Sequence, residues 1–283
     1  MSCNRPIVCY YSDKLNESGK RSLVFNSKQR YRGADPRYVN HLEVACGKCS
    51  GCRADAALMW SIRGYHESTL HEQNSFVTLT YSQENLPSDG KIDKRHLQLF
   101  FKRLRRDGTK LRYIACGEYG STTRRPHYHA IIFGKDWLEG SVQVTDALYT
   151  HQDLVDTWGF GHVSIAPVTM ASICYVCGYV NKKIDDQDTF NLMSRRPGIG
   201  HKWLDLYGDD IARTGVVSIE GQQYQVPRRY LEWHSEELVH VKKARSEYAA
   251  KMSSSRNSVD RFYAALGREE KLVLKRKFKM EKL

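Results

Sequence analysis

The sequence of 283 residues lacks several features that mark large classes of protein. It contains no apolar run near the roughly 20 residues needed to cross a bilayer. Its first residues lack the apolar core of a secretory signal. No internal repeat is visible, so an array of repeats is not expected. We therefore expect a soluble, intracellular globular protein with no membrane partner.

Acidic side chains are also in short supply. The chain has 32 Asp and Glu against 44 Lys and Arg, which gives a formal net charge of +12. Hydrophobic residues at 41% and aromatic residues at 11% exclude a mostly disordered chain. An excess of this size favours a polyanionic partner, with nucleic acid first, over a basic surface kept for solubility.

Two segments carry the whole excess. Residues 94–112 have eight basic side chains and one acid, and residues 241–283 have thirteen basic side chains and five acids. The first segment predicts a helix over 94–106 that Asp93 caps and that buries one apolar face. We expect DNA contacts from basic residues in and near this region, namely Lys102, Arg103, Arg105, Arg106, Arg124 and Arg125.

Three of the eight cysteines lie at two-residue spacing, in Cys46-Gly-Lys-Cys49-Ser-Gly-Cys52. This spacing is typical of three ligands of a structural zinc site, and Cys3 is the first choice for the fourth ligand, followed by Cys9 and His41. An iron–sulfur cluster or three reduced cysteines in a glycine-rich turn are the alternatives.

The remaining pattern predicts an α+β fold. Strands are expected at 74–82, 111–118, 127–133 and 162–168, and helices at 53–69, 93–106, 150–158 and 169–183. The order from the first strand is β-α-β-β-α-β followed by a helix, which indicates a ferredoxin-like antiparallel sheet with helices on one face. A hairpin centred on Glu220-Gly221 and a basic C-terminal helix are expected further on. Cys174 and Cys177 are interpreted as buried core residues.

A histidine pair on one strand is the first candidate for chemistry. Alternate strand residues face the same side, so His127 and His129 present both imidazoles together. Glu118 lies on the preceding strand of the same hairpin and can complete a two-histidine, one-carboxylate set suited to Mg²⁺ or Mn²⁺. Without that neighbour, the pair would be an ordinary surface or core feature.

The helix over 169–183 supplies the second candidate. Tyr175, Tyr179 and Lys182 share one face of it. A metal held by the histidines can polarise a phosphate, and a tyrosine on this helix can attack the phosphorus to form a phosphotyrosyl enzyme. A second tyrosine permits a second transfer. The alternative interpretation is two half-buried tyrosines beside a solvated lysine pair.

These residues resemble the HUH endonuclease superfamily, and within it the two-tyrosine rolling-circle replication initiators of gokushovirus-type microviruses. The resemblance covers roughly residues 46–200 and rests on an ordered set of elements: the cysteine run at 46–53, Phe-Val-Thr-Leu-Thr-Tyr at 76–81, Gly-Glu-Tyr-Gly at 117–120, Arg-Pro-His-Tyr-His at 125–129, Tyr-x3-Tyr with Lys-Lys at 175–183, and Ser-Arg-x-Pro-Gly-Ile-Gly at 194–200.

The resemblance implies that the protein nicks origin DNA of the double-stranded replicative form and stays linked to the 5′ end. Host helicase and polymerase then act, and the displaced single strand is later cut and joined in the cytoplasm of a bacterial host. His127, His129 and Glu118 are implied as metal ligands, Tyr175 and Tyr179 as nucleophiles, and Lys182 as a helper. The glycine at 178 departs from a regular helix and puts the equivalence of the two tyrosines in doubt.

The expected organisation has three parts. Residues 1–70 form a cysteine-rich segment and helix, residues 71–185 the HUH endonuclease domain, and residues 186–283 a basic region that contacts DNA. Two other functions fit part of the pattern, namely an HUH relaxase or transposase, and a non-enzymatic, zinc-containing nucleic-acid-binding protein.

Overall fold

The computed structural model describes residues 3–106, 108–120, 123–179, 189–254 and 267. The chain divides into two compact units. The first comprises Met1–Asp55 with Tyr248–Leu283, and the second comprises Ala56–Glu247. The three-part organisation expected from the sequence stays a prediction.

The first unit contains a small antiparallel sheet. Its central strand, β1 (Ile7–Leu15), pairs with β2 (Arg21–Val24) on one side and with β3 (Leu42–Val44) on the other. The short helix α1 (Pro36–Val39) precedes β3 and begins at Asp35, whose side chain accepts a hydrogen bond from the Arg37 amide. Among the described residues of this unit, the buried side chains are those of three cysteines, Cys3, Cys9 and Cys52.

The second unit is built on a seven-stranded sheet in which every described pairing is antiparallel. The strand order is β10-β5-β6-β4-β9-β8-β7. The strands are β4 (Asn74–Tyr81), β5 (Arg112–Tyr119), β6 (Pro126–Phe133), β7 (Val142–Thr145), β8 (Leu148–Thr150), β9 (Gly161–Pro167) and β10 (Phe190–Met193).

Helices and a hairpin complete the described chain. The helices are α2 (Ser50–Ser68), α3 (Lys94–Leu104), α4 (Gln152–Trp158), α5 (Met170–Tyr179), α6 (His201–Thr214), α7 (Arg228–Trp233) and α8 (Val239–Ser254), and the hairpin joins β11 (Val216–Ile219) to β12 (Gln222–Gln225). Asp93 caps α3 by accepting a hydrogen bond from the Arg95 amide, as the sequence predicts.

The predicted α+β class is confirmed, but the helices lie on both faces of the sheet rather than on one. On one face, Leu79 and Tyr128 pack with Phe100 of α3 and Trp158 of α4. On the other face, side chains of β5 and β6 pack with Ile173, Val176 and Cys177 of α5. The central strands are apolar on both sides, so each side needs a cover.

The predicted order of elements is present with two additions. The hairpin β7–β8 enters between β6 and α4, and β10 adds an edge strand beside β5. The hairpin centred on Glu220-Gly221 is found, with both residues at positive φ. Cys177 is fully buried, while Cys174 is only half-buried. Among the described residues, no helix has the length and apolar character that a membrane span requires.

Candidate active site and metal-binding groups

The hairpin β5–β6 brings a carboxylate and two imidazoles together on one face of the sheet. The register pairs Glu118 with His127 and Cys116 with His129. The Glu118 Oε1 atom lies 3.2 Å from His127 Nε2 and 2.9 Å from His129 Nε2. Their ligand atoms all lie within 4.8 Å of one another. We call these three residues the Glu–His–His group.

Hydrogen bonds behind the imidazoles set how the rings are turned. His127 Nδ1 lies 3.1 Å from the carbonyl oxygen of Arg125. His129 Nδ1 lies 2.9 Å from the hydroxyl of Thr78 on β4. A carbonyl only accepts, so Nδ1 of His127 carries the proton and its Nε2 presents a lone pair toward Glu118. Such outer hydrogen bonds are characteristic of metal-ligating histidines.

The helix α5 presents Tyr175 to this group. The phenol donates a hydrogen bond of 3.1 Å to Glu118 Oε1, and its oxygen lies 3.5 Å from His129 Nε2. The Tyr175 ring meets the His129 ring edge to face at a centroid distance of 5.0 Å. Tyr175 is 36% exposed, so its hydroxyl is held at the group while part of the ring faces solvent.

The two histidines have opposite pKa shifts. Burial lowers the pKa of His129, and the Glu118 carboxylate only partly opposes this. Burial also acts on His127, but hydrogen bonds to the Glu118 carboxylate and the Arg125 carbonyl outweigh it and raise its pKa. One imidazole is therefore kept neutral while the other holds a proton more readily, so the group offers both a base and an acid when it carries no metal.

The donor atoms fit a bound cation. Two imidazole nitrogens and a carboxylate oxygen converge from neighbouring strands, and Glu118 and His129 are buried. Buried carboxylate oxygens and lone pairs that face one another need a proton or a cation between them. The arrangement is a candidate metal centre beside a tyrosine hydroxyl.

The other residues predicted on this helix are only partly described. Tyr179 ends α5, and its side chain lies outside what the structure describes. Lys182 also lies outside the described residues. The grouping of Tyr175, Tyr179 and Lys182 on one face stays a prediction.

A second candidate metal group lies in the first unit. Cys3, Cys46, Cys49 and Cys52 place their sulfur atoms within 4.8 Å of one another. Cys49 Sγ lies 3.9 Å from Cys3 Sγ, and Cys46 Sγ lies 4.0 Å from Cys52 Sγ. Cys3 thus joins the three closely spaced cysteines, whereas Cys9 and His41 are not in the group. We call these residues the four-cysteine group.

Backbone amides point at the sulfur atoms of this group. The Asn4 amide donates to Cys49 Sγ at 3.2 Å, and the Cys49 amide donates to Cys46 Sγ at 3.3 Å. Burial raises the pKa of Cys49, but the amides of Asn4 and Cys52 and the neighbouring thiols outweigh it and bring the pKa to about 6. Gly47 adopts φ of +73°, which lets the turn wrap around the sulfur atoms. Thiolates held in this way are metal ligands.

The basic residues predicted to contact DNA fall into two places. Those of the α3 region lie with that helix on the face of the sheet opposite the Glu–His–His group, because α3 packs in the cluster of Leu79 and Tyr128. Arg103 also donates two hydrogen bonds of 3.0 Å to the carbonyls of Thr157 and Trp158.

Arg124 and Arg125 precede the histidine strand itself. Arg125 donates to the Tyr81 carbonyl at 2.8 Å, and Arg124 lies over the Tyr119 ring at 4.7 Å. The structure therefore separates Lys102, Arg103, Arg105 and Arg106 from the group and keeps Arg124 and Arg125 beside it.

Two residues at the site were missed by sequence reasoning. Thr78 contacts His129 as described, and the Phe76 ring stacks on the His129 ring at 5.7 Å. Both lie on β4, whose register places Thr78 directly opposite His129. The signal was the alternation of residues 76, 78 and 80 on one face of a strand, but its use requires knowing that β4 pairs with β6.

Comparison with known proteins gives a consistent picture. Residues 74–184 match a family of replication-associated proteins of the ORF2 type. The chain is 31% identical to replication-associated protein VP4 of Bdellovibrio phage phiMH2K, over 93% of this chain and 88% of that protein. It is 28% identical to replication-associated protein ORF2 of Spiroplasma virus 4, over 89% and 87% of the two chains.

A further relative is matched over part of its length. Replication-associated protein ORF4 of Chlamydia phage 1 is 32% identical over 66% of this chain and 52% of that protein. No solved structure matches the chain.

Proposed function

The chain belongs to the ORF2-type family of phage replication-associated proteins, and on this premise we propose that it initiates rolling-circle replication by nicking origin DNA. The observation that carries the proposal is the Tyr175 hydroxyl, which donates to Glu118 Oε1 at 3.1 Å. The same oxygen is contacted by both histidines. A potential nucleophile, a proton acceptor and metal-ligating atoms thus meet at one point.

The proposed step is a transesterification. The Tyr175 oxygen forms a bond to the scissile phosphorus, and the bond from phosphorus to the 3′ oxygen breaks. The 3′ oxygen leaves with the electron pair and takes a proton from water. Glu118 Oε1 already accepts the hydrogen bond of the phenol, so the tyrosine proton has an acceptor in place. The 5′ end stays linked to the protein, and the phosphodiester energy is retained for rejoining.

Divalent metal is part of the proposal. Mg²⁺ or Mn²⁺ held by His127, His129 and Glu118 would withdraw charge from the non-bridging oxygens of the scissile phosphate. The chain's own residues then hold the tyrosine hydroxyl at the phosphorus. The partly exposed ring of Tyr175 leaves room for a DNA strand to approach.

We assign Zn²⁺ to the four-cysteine group. Four sulfur atoms at tetrahedral corners around zinc lie about 3.8 Å apart, as follows from a zinc–sulfur distance of about 2.3 Å. The sulfur pairs at 3.9 and 4.0 Å agree with that spacing. The set of four thiols leaves no open position, so the role is structural rather than catalytic.

The remaining roles rest on the family. Tyr179 is proposed to make the second transfer that rejoins the displaced strand, with Lys182 as a helper. The DNA partners are the double-stranded replicative form and the displaced single strand, and the host partners are helicase and polymerase in the bacterial cytoplasm. The segments 71–185 and 186–283 are proposed as the nicking domain and the basic DNA-contacting region.

The test is formation of a covalent adduct. Single-stranded oligonucleotides that tile the replicon encoding this chain would be labelled at their 3′ ends and incubated with protein and Mn²⁺. We expect a labelled protein band with the wild type and with Tyr207→Phe, an exposed tyrosine on α6. The band should be lost with Tyr175→Phe. Tyr179→Phe should form the band but fail to transfer the strand to a second oligonucleotide.

Other outcomes identify the alternatives. Loss of all strand transfer in Tyr175→Phe, with an unaffected Tyr179→Phe, would indicate a single-tyrosine relaxase or transposase. Binding of the oligonucleotides without any cleavage would overturn the nuclease proposal and favour a non-enzymatic, zinc-containing nucleic-acid-binding protein.

A further inference from the structure

A hydroxyl on the neighbouring strand supports one of the two histidines. Thr78 lies on β4, opposite His129 of β6 and opposite Ser164 of β9. Because β4 pairs on both sides, its backbone is fixed at this point. A threonine on a strand also has few allowed rotamers. The Thr78 hydroxyl is therefore held before any substrate or metal arrives.

The hydrogen bond to His129 has a defined direction if the histidine ligates metal. A neutral imidazole has one protonated nitrogen and one lone pair. For the Nε2 atom to face Glu118 with its lone pair, the proton must sit on Nδ1. Nδ1 then donates to Thr78 Oγ1, 2.9 Å away. The ring is also held between Phe76 and Tyr175, so its plane is fixed as well.

His127 is oriented by a different device. Its Nδ1 donates to the Arg125 carbonyl, which is a main-chain atom. No side-chain substitution removes that acceptor. Of the two imidazoles, only His129 depends on a side chain that can be exchanged, among the hydrogen bonds described here. This contrast gives a way to loosen one ligand without touching any ligand itself.

We propose that Thr78 is a positioning residue, which selects the tautomer and ring orientation of His129 and thereby sets the affinity of the Glu–His–His group for a divalent cation. The inference rests on the proposed metal-dependent function of this group. It assigns to the strand Phe-Val-Thr-Leu-Thr-Tyr a role beyond sheet formation. Loss of such an outer hydrogen bond typically weakens metal binding or activity about 10- to 100-fold.

The substitution that isolates this bond is Thr78→Val, which keeps the shape of the side chain and removes the acceptor. Thr78→Ser restores a hydroxyl. Thr80→Val is the matched control, because Thr80 lies on the same face of β4 and its hydroxyl makes no hydrogen bond in the described part of the chain. Unfolding by heat would show whether all three variants keep the stability of the wild type.

The direct measurement is Mn²⁺ binding to full-length protein without DNA, followed by electron paramagnetic resonance. Mn²⁺ prefers oxygen and nitrogen ligands, so the four-cysteine group contributes little. We expect Thr78→Val to weaken Mn²⁺ binding about 10- to 100-fold. Thr78→Ser should recover most of the affinity, and Thr80→Val should bind as the wild type does.

Cleavage supplies the second readout. Thr78→Val should need a higher Mn²⁺ concentration for half-maximal adduct formation, with an unchanged dependence on oligonucleotide concentration. Equal Mn²⁺ affinity in folded Thr78→Val and wild type would overturn the proposal, as would a wild type that binds no Mn²⁺. A wild type that binds Mn²⁺ through Thr78 but never cleaves DNA would refute the nicking function and leave the positioning role standing.

Discussion

The two candidate metal-binding groups lie in very different surroundings. The Glu–His–His group projects from a sheet that is packed on both faces by fully buried apolar side chains. In the unit that holds the four-cysteine group, the buried side chains among the described residues are Cys3, Cys9 and Cys52. A hydrophobic core supports the first group, whereas the second lies where such a core is missing from the described residues.

This difference predicts different uses of metal. A site on a rigid sheet is preorganised, so a cation adds chemistry rather than structure. A small unit with little apolar burial needs another source of stability, and a metal that ties Cys3 to residues 46–52 supplies it by closing a long loop. We therefore expect removal of metal to unfold the first unit locally and to leave the sheet of the second unit intact.

The largest effect should follow loss of one thiol ligand. In Cys49→Ser the zinc affinity should collapse, because structural zinc in small modules contributes about 10 kcal/mol or more of folding free energy. Amide hydrogen exchange should show lost protection in β1–β3 and unchanged protection in β4–β6. Zinc content, measured by mass spectrometry of the native protein, should fall by about one ion per chain.

Cys174→Ser is the control for that experiment, because Cys174 lies outside both metal-binding groups. It should keep its zinc and its exchange pattern. Retained protection of β1–β3 in zinc-free Cys49→Ser would show that the first unit does not depend on the metal.

The complementary change weakens the core of the second unit. Ile131 is fully buried between sheet and α5, in the cluster that contains Ile173 and Val176. Ile131→Ala should lower the free energy of unfolding of this unit by about 2–5 kcal/mol. All five tryptophans lie within this unit, so urea unfolding followed by tryptophan fluorescence reports on it.

Zinc content of Ile131→Ala separates the two units. It should stay at the wild-type level at urea concentrations below the fluorescence transition. Joint loss of zinc and tryptophan signal in one transition would mean that the units unfold together, against the comparison made above.

The pH dependence of the two groups should differ as well. Because the pKa of His127 is raised, a proton competes with metal at its Nε2 above the ordinary histidine range. Mn²⁺ affinity should then fall about tenfold per pH unit once pH drops below that pKa. The low pKa of Cys49, about 6, lets the four-cysteine group keep its metal to lower pH.

Titrations with Mn²⁺ at about pH 8 and about pH 6 would measure this difference, with zinc content followed in parallel. In the metal-free protein the sign for stability is reversed. Protonated His127 stabilises the folded chain below its unfolded pKa, and this contribution is lost as pH rises through the raised folded pKa. A Mn²⁺ affinity that is equal at both pH values would contradict the assignment of His127 as a ligand.

The parts of the fold that the sequence predicted are those with local signals. β4 alternates apolar and polar residues without exception, and α3 has a cap and an amphipathic face. Glu118 and His127 could be paired because a hairpin sets register locally. Cys3 was chosen by residue type alone, and its sulfur lies with those of Cys46, Cys49 and Cys52.

What escaped prediction depends on contacts between distant segments. β10 has four residues, and its pairing with β5 joins segments that are far apart in the chain. Helices on both faces follow from apolar side chains on both sides of β5 and β6, a pattern that does not say which helix covers which side. Thr78 was missed for the same reason, since its role appears only once β4 lies beside β6.

The smallest expected effect concerns the remaining buried cysteine of the first unit. Cys9 is fully buried on β1 but lies outside the four-cysteine group. Burial raises the pKa of its thiol, so it stays neutral and acts as a small apolar side chain. Cys9→Ala should keep zinc content unchanged and should reduce hydrogen-exchange protection of β1–β3 by about 1 kcal/mol. A loss as large as that of Cys49→Ser would show that packed sulfur, rather than a bound metal, holds this unit together.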